Sequence, residues 1–402
     1  MGGPKIPLPD SPSHCEGRAF DPVVHISRVF GPQTLIICLF MPNTGELCAI
    51  VLAGGRGTRF WPRSRRLRAK QLLNIVGTGT MLQQTLQRLR PLVTPQNTWV
   101  ITSRELRSAV LTQAPEIPPA QVIAEPEGRN TAPAIGLGAE LVLRARGDVP
   151  LGVFPSDHLI GNPEKFAAVI HAATTEARRP GRIVVMGISP SRPETGYGYI
   201  ETIEEPTRRK EGSPLRVRKF VEKPDLAHAK QYKEAGNYYW NSGMFLWRAS
   251  TILEALAEFL PGTSERLRKI AEAPKSKFAA ALAHWYPACD NISIDHGVLE
   301  KARGIVCIPA PGLDWNDLGS WAAVYEQLAP RGGTVSQAGE VVEYESGNNF
   351  IHVEGKTVGL VGVKDMIVVE TADALLIVPR SQAQNVGKLV QELEKRALEK
   401  LL

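Results

Sequence analysis

Short apolar runs alternate with longer amphipathic segments in the first half of the chain. The runs Cys48–Val51, Trp99–Thr102, Gln121–Ala124 and Leu151–Pro155 have the length and composition of buried strands. Because helix-like segments separate them, the pattern predicts right-handed βαβ units and a mostly parallel sheet covered by helices on both faces. Ligands of such sheets bind beyond the carboxyl ends of the strands. The residues that follow each run are therefore candidates for chemistry.

Two of the intervening segments carry helix-start signals. Thr80 and Gln83 have capping-box spacing at the head of an apolar stripe, which predicts a helix over Thr80–Val93. Pro133 and its small neighbours predict a second helix that runs to about residue 146, with Thr131 as its cap. Both helices fit the βαβ pattern.

The pattern changes from residue 183 onward. Strand- and hairpin-like runs occur at Ile183–Gly187, Tyr197–Ile200, Val217–Val221 and Met244–Trp247. Ala-rich helical segments follow over residues 250–283. The sheet is therefore predicted to be mixed as well as mostly parallel.

Three regions are predicted along the chain. Residues 1–46 carry Pro, Gly and Ser without a sustained period, which is typical of a disordered extension, and we hypothesise that native translation starts at Met41. Residues 47–330 form the α/β domain. Residues 336–402 form a small β-rich domain, with short strands over 341–378 and a final helix from about Ser381 to Leu401. This small domain is a candidate dimer contact.

A glycine-rich loop follows the first apolar run. Gly54, Gly55 and Gly57 allow the backbone to direct several N–H groups at one point, as in loops that hold phosphate oxygens. The cations that follow within fifteen residues are Arg56, Arg59, Arg63, Arg65, Arg66, Arg68 and Lys70. Such a cluster suits a polyanion such as a nucleoside triphosphate. An ordinary turn beside a solvated basic face is the alternative for the loop taken alone.

The loop matches neither of two common phosphate motifs. A dinucleotide fingerprint starting at Gly55 would need glycine where Phe60 stands. A P-loop would need G-x-x-x-x-G-K-[ST], and Lys70 lies too far from the glycines.

The segment Leu52–Gln71 resembles the signature loop of the sugar-1-phosphate nucleotidyltransferases. It has the form L-A-G-G-x-G-x-R-x-W-P-x-S-R followed by K-Q, and the W-P and S-R pairs at 61–62 and 64–65 are similar to those of the mannose-1-phosphate guanylyltransferase branch. The resemblance implies a Rossmann-like nucleotidyltransferase domain with a mixed, mostly parallel sheet, and a small C-terminal β-rich domain. It assigns nucleotide contacts to Leu52, Ala53, Gly54, Gly55, Arg56, Gly57 and Thr58. It assigns catalytic contacts with the triphosphate to Arg59 and Lys70.

Two aspartates distant in sequence are candidate metal ligands. Asp157 follows the run Leu151–Pro155, and Asp317 lies in the segment W-N-D-L-G-S-W at 315–321. Either one alone is commonly a turn former or helix cap. The resembling family holds its catalytic metal on equivalent aspartates, and Mg²⁺ takes one or two carboxylates together with phosphate oxygens. The resemblance therefore implies a Mg²⁺ site at Asp157 and Asp317. His158 is interpreted as structural, because a neutral imidazole beside the end of a sheet is commonly just a hydrogen-bonded side chain.

Three later segments resemble the family's sugar-phosphate motifs. F-V-E-K-P at 220–224 contains Glu222 and the catalytic Lys223, which the resemblance places at the sugar hydroxyls and the sugar phosphate. E-T-G-Y-G-Y-I at 194–200 contains Glu194 and Gly198, and N-S-G-M-F at 241–245 begins with Asn241. Short polar side chains beside glycines can hydrogen-bond a sugar while the backbone approaches closely.

A further segment resembles the guanylyltransferase version of the base-recognition motif. It has the form E-P-x-x-R-N-T-A-P-A and supplies Glu125, Arg129, Asn130 and Thr131 as expected nucleotide contacts. The choice of guanine over another base rests on the resemblance, because the chemistry of one Asn does not decide it.

Composition and cysteine usage exclude several classes of protein. The 402 residues are 43% hydrophobic and 22% charged, with a net charge of +6. Because the basic residues cluster near the glycine loop rather than in a tail, they favour anionic small molecules over nucleic acid. Five scattered cysteines without C-x-x-C spacing argue against a disulfide framework or a zinc site. No run approaches the ~20 apolar residues of a membrane span, so a cytoplasmic protein is expected.

The sequence thus predicts an enzyme that makes GDP-mannose and pyrophosphate from GTP and mannose 1-phosphate with Mg²⁺, as a homodimer. Two alternatives stay open at this point. One is a nucleotidyltransferase for another sugar phosphate, such as glucose 1-phosphate. The other is a non-catalytic regulatory paralogue that binds nucleotide sugar.

Overall fold

The structure is a computed structural model that describes residues 47–204 and 212–402, and Gly2. The described residues from Leu47 onward cluster as one unit by their internal contacts. The predicted disordered extension and the hypothetical start at Met41 therefore lie outside the described residues, Gly2 apart.

The described strands are β1 Cys48–Ala53, β2 Thr98–Ser103, β3 Val122–Glu125, β4 Pro150–Pro155, β5 Leu159–Ile160, β6 Ile183–Ile188, β7 Tyr199–Thr202, β8 Leu215–Val221, β9 Tyr238–Arg248, β10 Ile305–Pro309, β11 Trp315–Asn316, β12 Val335–Tyr344, β13 Phe350–Val361, β14 Met366–Thr371 and β15 Ala374–Pro379. The described α-helices are α1 Met81–Leu89, α2 Arg107–Gln113, α3 Thr131–Arg146, α4 Pro163–Ala177, α5 Leu226–Ala235, α6 Ala249–Phe259, α7 Pro261–Glu272, α8 Phe278–Trp285, α9 Trp321–Leu328 and α10 Val386–Lys395.

Nine of the described strands form the main sheet in the order β3-β2-β1-β4-β9-β6-β10-β8-β7. The half β3-β2-β1-β4 is parallel, as the alternation of strands and helices predicts. Around β9 the pairing is antiparallel with β4, β6 and β7, whereas β6 and β10 pair parallel. The mixed α/β sheet is confirmed, and its parallel pairing is concentrated in the first half.

The parallel register brings the ends of the strands to one edge. Leu52 in β1 pairs with Pro155 in β4, and Ser103 in β2 pairs with Glu125 in β3. Apolar side chains cover both faces of the sheet and form two buried clusters, one on each side. The glycine loop, the segment after Glu125 and the segment after Pro155 therefore leave the sheet at the same edge.

Two helix starts can be compared with their predictions. At α1 the capping box is confirmed, since Thr80 Oγ1 accepts from Gln83 N at 3.3 Å and Thr80 N donates to Gln83 Oε1 at 3.0 Å. At α3 the prediction of Thr131 as cap is wrong. The helix begins at Thr131, and Asn130 is the cap, with φ of 64° and its Oδ1 accepting from Thr131 N at 2.9 Å. A positive φ is uncommon for residues other than glycine, and Asn adopts it more often than most.

A two-stranded sheet outside the main sheet joins distant parts of the chain. β5 and β11 pair antiparallel, with Leu159 opposite Asn316 and Ile160 opposite Trp315. Continuing this register by one residue sets Asp317 opposite His158, beside Asp157. Two very short strands thus bring the two predicted metal ligands together.

The C-terminal domain is a four-stranded sheet in the order β12-β13-β14-β15, parallel except for β14 and β15. The predicted continuous final helix is wrong: a 3-10 turn over 380–385, α10 and a 3-10 turn over 399–401 replace it. A buried cluster joins this domain to the signature loop, with Phe60 and Trp61 packed among residues such as Phe350 and Val386. In the described parts of the chain, every helix is too short or too polar to span a bilayer.

Candidate active site

The glycine loop, residues Gly54–Thr58, is held from behind by a buried glutamine. Gln71 Nε2 donates to the carbonyl oxygens of Ala53 at 2.7 Å and Gly55 at 3.0 Å. These bonds satisfy one carbonyl at the end of β1 and one within the loop, and so fix the path of the chain where the loop leaves the strand. Gln71 belongs to the K-Q pair of the signature, yet the sequence alone does not reveal this bracing role.

Gly57 is required by a close approach to Lys70. Its φ is 62°, in the left-handed region, and a Cβ at this position would overlap the Lys70 Cβ. The glycine therefore allows the loop to cross directly over the lysine. As a result, the Lys70 side chain is only 5% exposed and its ammonium group is directed to a fixed place.

Lys70 links the two aspartates that the sequence singles out. Its Nζ donates to Asp157 Oδ2 at 2.9 Å and to the backbone oxygen of Asp317 at 2.6 Å. Burial favours the neutral form of Asp157, but Lys70 and His158 hold the pKa of Asp157 below its ordinary value. The pair keeps a carboxylate ionised beside an ammonium group.

Asp317 is oriented by a tyrosine from the hairpin region. Tyr197 OH donates to Asp317 Oδ1 at 2.7 Å, and Gly319 N donates to the same oxygen at 3.0 Å. Burial, together with the Asp317 charge, raises the pKa of Tyr197, so the phenol stays a donor. Sequence reasoning missed Tyr197 as a site residue. The G-Y-G-Y pattern around it gave no sign of the distant partner.

Two cavities meet at Asp157 and His158. The larger, about 410 Å³, lies between the glycine loop, the start of α3 and β9. The smaller, about 290 Å³, lies between the end of the loop, Lys70 and Asp317. Both lie beyond the carboxyl ends of the parallel strands, where ligands of such sheets bind. A ligand that spans the two cavities would pass beside Asp157.

The predicted nucleotide-binding, catalytic and metal residues divide between these cavities. The larger cavity is lined by Leu52, Gly54, Gly55, Glu125, Asn130, Thr131 and Asp157. The smaller cavity is lined by Gly57, Thr58, Arg59, Lys70, Asp157 and Asp317. The structure places Ala53, Arg56 and Arg129 elsewhere: Ala53 is buried in β1, Arg56 pairs with Glu394, and Arg129 pairs with Glu127.

Glu125 closes the inner end of the larger cavity with a buried carboxylate. Its Oε1 accepts a hydrogen bond from Tyr286 OH, and its Oε2 lies 2.9 Å from where a Cβ on Gly54 would stand. Burial raises the pKa of Glu125 to about 7, and the Tyr286 hydrogen bond opposes this shift. The second oxygen is available to accept from a ligand. Tyr286 is a further residue that the sequence did not predict.

The predicted sugar-phosphate residues form a second group at the β7–β9 side of the sheet. Asn241 N donates to Gly198 O at 2.8 Å, and a Cβ on Gly198 would come within 2.5 Å of Glu222 Oε2. Lys223 pairs with Glu222 at 3.0 Å, and 62% of its side chain is exposed. Glu194 accepts from Gly196 N at 2.9 Å, so its carboxylate shapes the turn that carries Tyr197.

Asp295 connects this group to the larger cavity. Its Oδ1 accepts from Asn241 Nδ2 at 2.7 Å, and the residue also lines the cavity wall. Burial, with the Glu222 charge nearby, raises the pKa of Asp295 to about 6. The sequence did not mark Asp295 as a site residue, because a lone aspartate is usually a turn former.

Three arginines of the signature do not face either cavity. Arg56, Arg65 and Arg66 instead pair with Glu394, Asp373 and Glu399 of the C-terminal domain, at 2.8, 2.9 and 3.2 Å. The prediction that the whole basic cluster serves a polyanion is therefore wrong for these three side chains. Arg59 and Lys70 are the cations of the cluster that line the smaller cavity.

The donor set at the junction can be tested against a magnesium ion. Asp157 and Asp317 both line the smaller cavity and supply hard carboxylate oxygens. Among the described residues no group of three or more His, Cys, Asp or Glu side chains is placed to hold a metal. Mg²⁺ does not need such a group, since it is commonly held by one or two carboxylates plus substrate phosphates. The residues present therefore fit a Mg²⁺ ion that binds together with a phosphorylated ligand.

Comparison with protein-family models agrees with this geometry. Residues 48–330 match the nucleotidyl transferase family, and residues 339–393 match the MannoseP isomerase/GMP-like beta-helix domain. The chain belongs to the nucleotidyl transferase family.

Individual relatives narrow the comparison. The mannose-1-phosphate guanylyltransferase of Escherichia coli (strain K12) is 37% identical over 355 residues, which cover 87% of this chain and 74% of that protein. The xanthan biosynthesis protein XanB of Xanthomonas campestris pv. campestris (strain B100) is 37% identical over 356 residues, or 87% and 73% of the two chains. The crystal structure of mannose-1-phosphate geranyltransferase from Thermus thermophilus matches with a TM-score of 0.78 at 33% identity, over 87% of this chain and 99% of that chain. The resemblance to the mannose-1-phosphate guanylyltransferase branch is confirmed, and the chain is an enzyme of the nucleotidyltransferase class.

Proposed function

We propose that this enzyme transfers GMP from GTP to mannose 1-phosphate, forming GDP-mannose and releasing pyrophosphate. The observation that carries the proposal is the junction of the two cavities, where Lys70 bonds both Asp157 and the Asp317 backbone. A nucleotide whose base lies in the larger cavity would bring its phosphates to this junction. The relatives named mannose-1-phosphate guanylyltransferase, which align over most of the chain, support the choice of substrates.

We propose that Glu125 selects guanine. Guanine presents N1–H and the N2 amino group as neighbouring donors, and a carboxylate oxygen facing the larger cavity can accept from both. Adenine has no donor at N1, and uracil has a single N3–H donor without a neighbouring amino group. Asn130 and Thr131 at the start of α3 line the same wall and would contact the base or ribose. The position of Glu125 supports this role, because its carboxyl group lines the larger cavity, where it can accept from a ligand that donates hydrogen bonds.

The sugar phosphate is proposed to bind at the β7–β9 side. Lys223 would offset the phosphate charge, while Glu222, Asn241, Gly198 and Glu194 would contact or shape the hexose site. The bond from Tyr197 to Asp317 supports this placement, because it joins the hairpin to the junction. The two substrates would thus approach Asp157 and Asp317 from opposite sides.

The proposed chemistry is an in-line attack by an oxygen of the mannose phosphate on the α-phosphorus of GTP. The new oxygen–phosphorus bond forms as the bond to the β-phosphate bridging oxygen breaks, and pyrophosphate leaves. A phosphate monoester has a second pKa of about 6, so it is largely dianionic at neutral pH and needs no protein base. The protein then contributes positioning and charge stabilisation. The loop N–H groups with Arg59 and Lys70 would hold the triphosphate in place.

We propose Mg²⁺ as the cofactor, held by Asp157 and Asp317. When bound with the substrates, such an ion neutralises phosphate charge and aligns the reacting groups. The tyrosine and glycine bonds to Asp317 would fix the direction of one ligand, and Lys70 would fix the other.

We also propose that the enzyme is a homodimer. Large apolar side chains are exposed on the C-terminal sheet, including Val342 and Tyr344 on β12, Val361 on β13, and Leu375 and Ile377 on β15. Such exposed apolar surface is typical of a protein contact. Light scattering should therefore give twice the chain mass, and Val361→Asp should shift the mass toward one chain.

The test of function is pyrophosphate release with Mg²⁺ across a matrix of substrates. GTP, ATP and UTP would each be combined with mannose 1-phosphate, glucose 1-phosphate or no sugar. Release that requires GTP and mannose 1-phosphate together supports the proposal. Equal release with both sugars would make the enzyme a broad nucleotidyltransferase, and release with ATP or UTP but not GTP would contradict the role given to Glu125.

A further inference from the structure

The C-terminal helix α10 contacts the wall of the smaller cavity from the outside. A Cβ on Gly387, in the first turn of α10, would lie 3.5 Å from Thr58 Oγ1 and 3.8 Å from Arg59 Cγ. Thr58 and Arg59 themselves line the cavity proposed for the triphosphate. Thr58 and Arg59 therefore lie between α10 and the smaller cavity.

Arg56 lies two residues before Thr58 in the same loop, and its side chain contacts α10. Arg56 stands between Gly55 and Gly57, at the centre of the glycine loop, yet its Nη2 donates to Glu394 Oε1 at 2.8 Å. The residue lines a narrow crevice between the loop and the C-terminal residues Val390 and Leu402. The one cation inside the glycine loop is thus bound to a carboxylate of another domain.

The contact is repeated along the signature segment. Arg65 pairs with Asp373, Arg66 pairs with Glu399, and Trp61 Nε1 donates to the Leu401 backbone oxygen at 2.9 Å. Below these polar contacts, Phe60 and Trp61 share a buried cluster with Val386 and Val390. Several independent contacts therefore fix the signature segment, both within the glycine loop and just after it, to α10 and the neighbouring C-terminal residues.

We propose that Arg56 and Glu394 are positioning residues that hold the glycine loop in the conformation that binds the triphosphate. In this arrangement the C-terminal domain is a structural part of the catalytic site, and Arg56 acts through the loop rather than on the phosphates. The proposal rests on the proposed function only in that the smaller cavity takes a nucleoside triphosphate. It is independent of which base or sugar the enzyme prefers.

The two roles open to Arg56 predict opposite effects at Glu394. If Glu394 braces the loop, removing its charge loosens the loop and weakens triphosphate binding. If Arg56 instead binds phosphate and Glu394 competes for it, removing the Glu394 charge frees Arg56 and strengthens binding. The sign of one substitution therefore separates the two roles.

The experiment is a double-mutant cycle of Arg56→Gln and Glu394→Gln in the full chain. Because the pair is partly exposed, with side chains 48% and 36% accessible, we expect each single variant to raise the KM for the triphosphate by only about 2- to 5-fold. The double variant should resemble either single variant, since both remove the same contact. The KM for the sugar phosphate should not change.

The matched control is Glu392→Gln, because within the described residues the Glu392 carboxylate pairs only with Lys395 and Arg396 of its own helical segment.

The measurements use whichever nucleoside triphosphate the wild-type enzyme turns over, together with a direct titration of GTP in the absence of sugar. A lower KM or tighter binding in Glu394→Gln would overturn the proposal in favour of direct phosphate contact by Arg56. An unchanged KM and an unchanged GTP affinity in both single variants would also overturn the proposal, because they would show that the Arg56–Glu394 ion pair does not affect the conformation of the loop. A preference for ATP or UTP would contradict the proposed base selection but would leave this cycle fully interpretable.

Discussion

The two ends of the site are held in different ways. At the proposed nucleotide end, Lys70, Gln71 and Glu125 are 4%, 3% and 6% exposed, and each has a hydrogen-bond partner within the protein. At the proposed sugar end, 62% of the Lys223 side chain is exposed and its ammonium is paired with its neighbour Glu222. The nucleotide end is therefore preorganised in the absence of a ligand, whereas at the sugar end the main cation, Lys223, is exposed to solvent.

This difference in burial follows from the charge of the ligand that each end is proposed to bind. A triphosphate with a metal concentrates charge at one place, and groups fixed in advance stabilise such charge without reorganisation. A hexose phosphate carries less charge, so a solvent-exposed lysine on a strand end can adapt to it. Substitutions at the nucleotide end should therefore lower kcat or strongly weaken GTP use, and substitutions at the sugar end should mainly change one KM.

The largest effect is expected for Asp157→Asn. The change keeps the shape of the side chain but removes the carboxylate that Lys70 contacts and that is proposed to hold Mg²⁺. We expect kcat to fall on the order of 100- to 1,000-fold, because a preorganised charge at the reacting phosphates is lost. Pyrophosphate release at saturating GTP and mannose 1-phosphate measures this.

The control for this variant is Asp314→Asn. Asp314 is exposed near the β5–β11 sheet and has a φ of 50°, which asparagine tolerates. It should keep wild-type activity. If Asp157→Asn kept more than half of the wild-type kcat, the metal assignment would be wrong. The nucleotide end would then be no more sensitive to substitution than the sugar end.

The sequence predicted those parts of the site that depend on local pattern. The parallel half of the sheet, the capping box at Thr80 and the glycine loop after β1 each follow from residues that lie close together in the chain. The positions of Asp157 and Asp317 came from a family resemblance, and the structure supplies the physical reason. Strands β5 and β11 have two residues each, which is too short for any periodicity to be visible.

The rest depended on partners far away in the chain. Arg56 and Glu394 are 338 positions apart, so no local pattern shows that this arginine belongs to a domain contact rather than to a phosphate site. Asp317 and Tyr197 are separated by 120 positions, and Tyr286 and Glu125 by 161. Positive charge near a glycine loop predicts an anion, but it does not predict whether that anion is a ligand or a carboxylate of the same chain.

The second largest effect is expected for Glu125→Gln. The amide keeps the hydrogen bond with Tyr286 within reach but turns one acceptor oxygen into a donor group, which opposes the guanine amino group. We expect the KM for GTP to rise about 10- to 100-fold, in line with a hydrogen bond to a charged group of about 1.5–3 kcal/mol. The KM for mannose 1-phosphate should stay within about twofold of wild type.

This substitution also has a pH signature. Because the pKa of Glu125 is raised to about 7, the carboxyl is protonated below that pH and ionised above it. The wild-type KM for GTP should therefore fall as pH rises from about 6 to 8, relative to Glu125→Gln at the same pH. Taking this ratio cancels the titration of the phosphates themselves. Glu127→Gln, at an exposed neighbour paired with Arg129, is the control and should follow the wild-type profile.

Of the three substitutions that test this comparison, Lys223→Ala is expected to have the smallest effect, and it tests the comparison most directly. Since Lys223 is largely exposed, its interaction with a phosphate is screened by water and should contribute about 1 kcal/mol or less. The KM for mannose 1-phosphate should rise about 3- to 5-fold, with kcat and the KM for GTP unchanged. The control is Lys219→Ala, at an exposed lysine on β8, and it should leave kcat and both KM values at the wild-type level.

If Lys223→Ala instead lowered kcat as far as Asp157→Asn does, Lys223 would have to close over the reacting phosphates in the ternary complex. The sugar end would then be as critical to catalysis as the nucleotide end, and its exposure without ligand would describe only an open state.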